Sequence, residues 1–234
     1  MDHFSPADSS LKAQDAGLTQ HLYAAIDRFY AEHLNHTIKR DQLPSSGIYL
    51  FFEKGETVHI DGKIHDRFVR VGTHNKDGNF PGRIRQHYGN KGNLMGNKNG
   101  SVFRKHLGGA IMRRENPNDP RLHKWLKQMG LSYADVEEKV SRTLRENFTF
   151  ICFPVDTKEE RLSLESGLIS LLAQYPLGHP SEEWLGRFAY SPVIQSTGLW
   201  NTNETDKKPL DKSQLERIIS LMEKHTRKDQ VKIQ

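Results

Sequence analysis

A tyrosine, an arginine, a histidine and a glutamate stand along this chain in an order that suits attack on a phosphodiester. Tyr49 lies in Gly47-Ile48-Tyr49, Arg83 and His87 follow in Gly82-Arg83-Ile84-Arg85-Gln86-His87, and Glu165 interrupts a leucine-rich run further on. Hydrolysing a phosphodiester needs a base to activate water, cations to take up charge on the phosphate oxygens, and a metal or an acid for the leaving oxygen. A phenol, an imidazole, a guanidinium and a carboxylate supply those types. Singly, none is diagnostic. Arg and His four apart are common on helix surfaces, and a strand tyrosine often carries its hydroxyl at the surface.

The charge distribution points the same way. Residues 83–114 hold eight Lys/Arg and no Asp or Glu, leaving 26 of the 34 basic residues to face all 29 acids elsewhere. The whole excess of +5 therefore arises in one segment. A solvated surface usually mixes its signs, whereas an acid-free basic stretch reads as a phosphate-binding face.

The elements that must position these groups follow from periodicity. Over residues 9–37, Leu11, Leu18, Leu22, Ile26 and Phe29 recur at helical spacing, predicting one or two packing helices. Gly47–Glu53 reads as a strand with Ile48, Leu50 and Phe52 on one face and Tyr49 and Phe51 on the other, so that Tyr49 points away from its apolar neighbours. Turn signals at Lys54-Gly55 and Asp61-Gly62, then β character over Arg67–Thr73, predict a hairpin or a three-stranded meander with Tyr49 and Arg70 on a shared face. Residues 83–88 start a helix that puts Arg83 and His87 on one face and Ile84 and Tyr88 on the next. Residues 89–100, mostly Gly, Asn and Lys, read as a cationic gripping loop. Residues 120–146 form a helical pair broken at Gly130. Phe148–Val155 is a final strand apolar enough to be central. Glu159–Gln174 is a helix with Leu162, Leu164, Leu168, Ile169, Leu171 and Leu172 toward a core, and Leu210–Lys224 is a surface helix.

At 234 residues the chain can bury a core as one elaborated domain with appendages. A single cysteine, Cys152, excludes an internal disulfide and a cysteine-based zinc cluster, and suggests a reducing compartment. The N-terminus lacks an apolar signal region and no run is long enough to span a bilayer, which together predict a soluble, cytoplasmic protein without a membrane partner. Other nuclease templates fit less well. Asp61-Gly62-Lys63 falls on a hairpin turn, the histidines show no partner pattern for a ββα-metal site, and Gly92–Ser101 lacks a Gly-Lys-Ser/Thr ending.

The ordered set resembles the GIY-YIG nucleases. Carrying the resemblance are Gly47-Ile48-Tyr49, Val71-Gly72 as the remnant of the second triplet, Arg83 with His87, Ser101 and Lys105, Glu165, and Asn201 in Gly198-Leu199-Trp200-Asn201. It covers residues 46–205, with a helical insertion at about 112–147, a helical extension over 1–45 and a helical tail over 206–234. The resemblance implies an α/β frame of the α+β type, a small mainly antiparallel sheet flanked by helices, one divalent cation (Mg²⁺ or Mn²⁺) and cleavage of DNA. By the same resemblance Tyr49 is the general base or water-orienting phenol, Arg83 holds the scissile phosphate, His87 assists Tyr49, and Glu165 is the one protein carboxylate on the metal. Lys91, Lys98, Ser101, Arg104, Lys105 and Asn201 are then candidates for contacting substrate. The chain departs from the pattern at Arg70, where the second tyrosine is expected, and guanidinium cannot carry a proton as a phenol does. Either Arg70 is an extra phosphate clamp, or His74 or Tyr88 takes the second polar role. Because a double-strand cutter with one site per chain often acts as two copies, a homodimer is one expectation. The alternatives are a catalytically silent nucleic-acid-binding module on the same frame and, less favoured, an assembly protein.

Overall fold

A computed structural model of the chain describes the backbone of residues 6–231 and the side chains of residues 16–226. Leu11 lies outside the described side chains. Three strands, β1 (Gly47–Ile60), β2 (Lys63–Gly72) and β3 (Phe148–Pro154), form an antiparallel sheet in the order β2-β1-β3. β1 and β2 are a hairpin turned at Asp61 and Gly62, both at positive φ (50° and 77°), as a tight two-residue turn matched to strand twist requires. Between the pairs Phe51↔Arg70 and Phe52↔Phe68, β2 carries one extra residue, Val69. Such a bulge re-aims neighbouring side chains, here those beside Arg70.

Eight helices surround the sheet among the described residues: α1 (Pro6–Phe29), α2 (Phe80–Tyr88), α3 (Val102–Glu115), α4 (Leu122–Lys127), α5 (Ala134–Asn147), α6 (Lys158–Gln174), α7 (Pro192–Thr197) and α8 (Lys212–Val231). None is long and apolar enough to cross a membrane. The alternation read from Gly47–Glu53 separates two cores. Ile48, Leu50 and Phe52 pack with Leu22 and Ile26 of α1, Leu168 of α6, and Leu215 and Ile218 of α8. Tyr49 and Phe51 pack on the other face with residues of α2, α3 and α5. The terminal helices thus share a core with the sheet, and α8, with Leu215, Ile218 and Met222 buried, is a core helix rather than a surface one.

Three further expectations are corrected. The first helix stops at Phe29. Beyond it the Asn35 side chain accepts from the amide and hydroxyl of Thr37, a local turn that competes with helix, and Leu34 exchanges backbone hydrogen bonds with Phe150 at 2.8 Å. β1, not β3, is central. β3 is apolar throughout because both of its faces meet a core, with Leu34 covering its edge. Leu162 is 41% exposed, having rotated off the buried face of α6 that its place in the leucine run suggested.

Glu53, at the bend of β1, accepts the indole N–H groups of both Trp184 and Trp200 at 3.0 Å and ties the segment before and after α7 to the sheet. Burial pushes its carboxyl up to about 7, against the pull of the two indoles. The folded state therefore holds this proton where the unfolded chain, at 4.5, has released it. Stability is expected to fall as pH rises through that window, by up to about 3 kcal/mol. Glu53→Gln retains an acceptor for both indoles, and urea melts at about pH 5 and about pH 8 are expected to show a smaller pH difference than wild type.

Candidate active site

Tyr49 and its partners are placed by the sheet's second face. Tyr49 pairs across the hairpin with Gly72, and its ring lies over that glycine. A Cβ at Gly72 would collide with the phenolic hydroxyl and ring, so Val71-Gly72 is read as a requirement for space beside the tyrosine. The ring packs edge-on against Phe51 and His87 and tilted against Phe80, and it has no exposure. Tyr49 does share the face of Arg70, but it does not escape apolar company, because this face is a core as well.

α2 begins at Phe80, three residues before the position read from sequence, with Pro81 in its first turn. It presents His87 to the sheet, where Nε2 is 2.8 Å from the Tyr49 hydroxyl. The other ring nitrogen, Nδ1, is 2.9 Å from Ser101 Oγ. Ser101 is the N-cap of α3, its Oγ accepting the amide of Arg104 at 3.2 Å. Hydroxyl, imidazole and phenol thus form a continuous buried chain. His87 is fully buried, and its pKa is held well below 6.5, first by burial and then by the charges of Arg83, Arg70 and Arg104. A neutral imidazole with Nδ1–H donating to Ser101 leaves Nε2 to accept from Tyr49, the direction a base relay needs.

Arg83 is braced by Nη1, which donates to Gln86 Oε1 and to the carbonyl of Gly100, each at 2.8 Å. Its Nε and Nη2 have no acceptor among the described residues. Arg70 is largely buried, its guanidinium 5.0 Å above the Phe103 ring and its Nη1 donating to Trp200 O at 2.6 Å, while Nε has no partner. Glu165 is half-buried on α6. Burial raises its pKa, with the Arg70 charge, the Thr73 backbone and the Arg83 charge acting against that rise and Glu204 adding to it. Glu165 and His87 therefore feel the same two guanidinium groups, and Tyr49 touches His87. The residues expected to act together share one neighbourhood.

The donor set suits one kind of cation. Among the described residues no three His, Cys, Asp or Glu side chains gather in a metal-binding cluster. A hard divalent ion that keeps most of its water needs only a carboxylate and substrate oxygens. Glu165, desolvated and without an ion pair among the described residues, offers that. Glu165 would hold the ion, which would supply charge neutralisation at the phosphodiester.

Several expected substrate contacts are placed elsewhere. Arg104 is wholly buried and binds the Glu137 carboxylate through Nε at 3.0 Å and Nη2 at 2.6 Å, fastening α3 to the helical insertion. Lys98 is buried over the Trp125 ring, its ammonium donating to Gln128 O and Asn99 Oδ1. Each is fixed inside because a buried cation must be paired. Ser101 is buried and orients His87 instead of facing substrate. Asn201 accepts from the Val71 amide at 3.1 Å and donates to the Val71 carbonyl at 2.9 Å, its amide imitating a strand backbone along the edge of β2. His74 is buried, bonded through Nδ1 to Lys76 O at 2.8 Å and packed on Phe80, with burial lowering its pKa. Tyr88 donates to Phe148 O at 3.0 Å. Neither takes the second tyrosine's place, which leaves Arg70 as the polar group there. Lys105 is half-buried beside His106 and Lys98, and Lys91 lies on the far side of α2 with Arg85.

Two residues near the site had no reading in the sequence. Arg161, one turn before Glu165, is fully buried with Nε and Nη1 unpartnered and Nη2 reaching His74 O at 3.3 Å. His106, whose buried Nδ1 has no partner, is pushed down to about 4 by burial and by Lys105 and Arg70. The i, i+4 spacing of Arg161 and Glu165 was the available signal for the first; a lone histidine on α3 gave none for the second.

Comparison with protein-family models matches residues 15–228 to a GIY-YIG domain, a span that takes in the second half of α1 and most of α8 along with the sheet. The same comparison against curated proteins and against solved structures returned no match. GIY-YIG domains are generally those of endonucleases, which suggests a nuclease-type function. With residues 15–228 of its 234 matched to that domain, this chain belongs to the GIY-YIG family.

Proposed function

We propose that the chain is a metal-dependent DNA endonuclease in which Tyr49 and His87 move the proton of the attacking water. The observation that carries this reading is the buried Tyr49–His87–Ser101 chain placed within the reach of Arg83 and Arg70. His87 alone is a poor base because burial and three nearby cations, Arg83, Arg70 and Arg104, oppose its protonation. A phosphate held by Arg83 neutralises part of that charge and raises the basicity of His87 when substrate is present. Tyr49 then passes its proton to Nε2 as it takes one from water. Arg70 lends a second positive charge to the phosphate where a second phenol would have stood, and Glu165 would hold a divalent ion, which would supply charge neutralisation at the leaving oxygen.

Ser101→Ala removes both the cap of α3 and the brace on His87. It is expected to lower stability by about 1 kcal/mol and to slow cleavage about tenfold by loosening the imidazole. Thermal melts and single-turnover assays read the two effects separately.

One observation favours the silent-module reading: Tyr49 has no exposure, so water meets its hydroxyl only after local opening. A cleavage panel of plasmid, single-stranded, branched and RNA substrates, with Mg²⁺ or Mn²⁺ and with chelator, decides between them. Ion-dependent cutting of DNA supports the nuclease. Salt-sensitive binding without products under either ion supports the silent module, and no salt-sensitive binding at all leaves only the assembly role.

A further inference from the structure

Across α2 from the catalytic face lies a second cationic site. Pro81, Ile84, Arg85 and Tyr88 of α2 line a cavity of about 350 Å³ that Arg83 and His87 do not enter. Its polar lining is cationic: Lys39, Arg40, Arg85, Lys91 and Arg145, with His36. No Asp or Glu lines it; Asp41 lines the neighbouring hollow instead. Five like charges around one cavity repel one another unless an anion enters.

Two of the lining residues also carry buried polar atoms left without a partner. Nε of Arg145 and Nδ1 of His36 are buried without hydrogen-bond partners, although Arg145 Nη2 is anchored on Gly89 O at 2.9 Å. A buried polar group left unpaired in a native fold calls for an explanation, a bound ion among them. The rest of the lining includes the apolar side chains of Ile38, Leu43, Pro81 and Ile84. Volume, charge and lining suit a small molecule with an anionic head and a flat apolar body, at the lower end of ligand cavities of roughly 300 Å³ upward.

We propose that this cavity binds a nucleoside monophosphate unit, its phosphate against Arg145, Arg85 and Lys91 and its base against Leu43, Pro81 and Ile84. The unit is either a free nucleotide or the terminal nucleotide of a nucleic-acid strand. The site goes beyond the cleavage reading and does not depend on it.

Calorimetric titration of thymidine 5′-monophosphate into the full chain, in chelator, tests it. Saturable binding is expected, with inorganic phosphate about tenfold weaker and thymidine weaker still. The double variant Arg85→Gln, Lys91→Gln changes two exposed side chains and is expected to keep its melting temperature while losing nucleotide affinity at least about tenfold. Glu165→Ala retains nucleotide binding, so failure here and failure of the nuclease reading are told apart. A 5′-phosphorylated oligonucleotide that displaces the nucleotide better than its 5′-hydroxyl counterpart assigns the cavity to a strand end; displacement by neither assigns it to free nucleotide, and equal displacement by both overturns recognition of a monophosphate unit. No saturable binding, inorganic phosphate binding as tightly as nucleotide, or unchanged affinity in the double variant overturns the proposal.

Discussion

Glu165→Gln is expected to reduce Mg²⁺-dependent cleavage by about three orders of magnitude while leaving the fold intact, because on the proposed reading it removes the carboxylate that would hold the ion beside Arg83 and Arg70. The substitution keeps the size of the side chain and deletes only its charge. Burial already holds this carboxyl above the ordinary carboxylate range, so its charge is disfavoured in the fold and the melting temperature is expected to stay level or rise slightly. DNA affinity measured in chelator is expected to hold or to tighten, since a negative group is lost from a site meant for phosphate. The same raised pKa sets a pH signature. On acidification a carboxyl raised by burial takes up its proton earlier than an exposed one, so wild-type cleavage is expected to fade at a higher pH than a solvated glutamate would dictate, with bound metal opposing the loss. Single-turnover rates across an acid series, for wild type and variant, measure both effects.

Tyr49→Phe is the second large effect. It deletes one oxygen and keeps the ring that fills the space over Gly72, so it isolates the phenol's chemistry from its packing. Loss of a positioned proton carrier is expected to slow cleavage by about 10²–10⁴-fold. His87 Nε2 loses its partner inside a core, which is expected to lower stability by about 1–2 kcal/mol. On the proposed relay of phenol and imidazole, adding His87→Ala to Tyr49→Phe is expected to cost little further rate. Additive losses in that double-mutant cycle would mean that the two groups work independently.

The parts legible in the sequence were those fixed by local pattern. Period-two alternation places Tyr49 and Phe51 on one face of β1, the Asp61-Gly62 pair places the hairpin turn, and four-residue spacing puts Arg83 and His87 on one face of a helix, while the burial of His87 against the sheet comes from packing. What long-range packing decides was not legible. Asn201 reads as a loop amide until the segment after α7 is seen along β2, where its side chain completes the pairing of Val71. Arg104 and Lys98 read as free cations in a basic segment, and only the fold brings Glu137 and Trp125, some thirty residues on, against them. Ser101 reads from sequence as a substrate contact, and its capping of α3 and its bond to His87 are visible only in the fold, since they depend on where α3 begins relative to α2. Burial of Tyr49 was missed for a related reason. Alternation shows that a strand has two faces, and it does not show that both are covered.

The acid-free segment also divides in the structure. Arg83 stands at the candidate catalytic face, Arg104 and Lys98 are internal ties, and Arg85 and Lys91 ring the cavity behind α2. One run of like charge therefore serves three physical tasks, and its net excess overstated the number of cations free to meet phosphate beside Tyr49.

The most direct measurement is single-turnover cleavage of plasmid DNA at saturating protein in Mg²⁺, with wild type, Tyr49→Phe and Glu165→Gln at equal DNA occupancy. The expected result is cutting by the wild type alone, with all three proteins bound. Cutting by either variant at the wild-type rate contradicts the assignment of the phenol and the carboxylate to the chemical step.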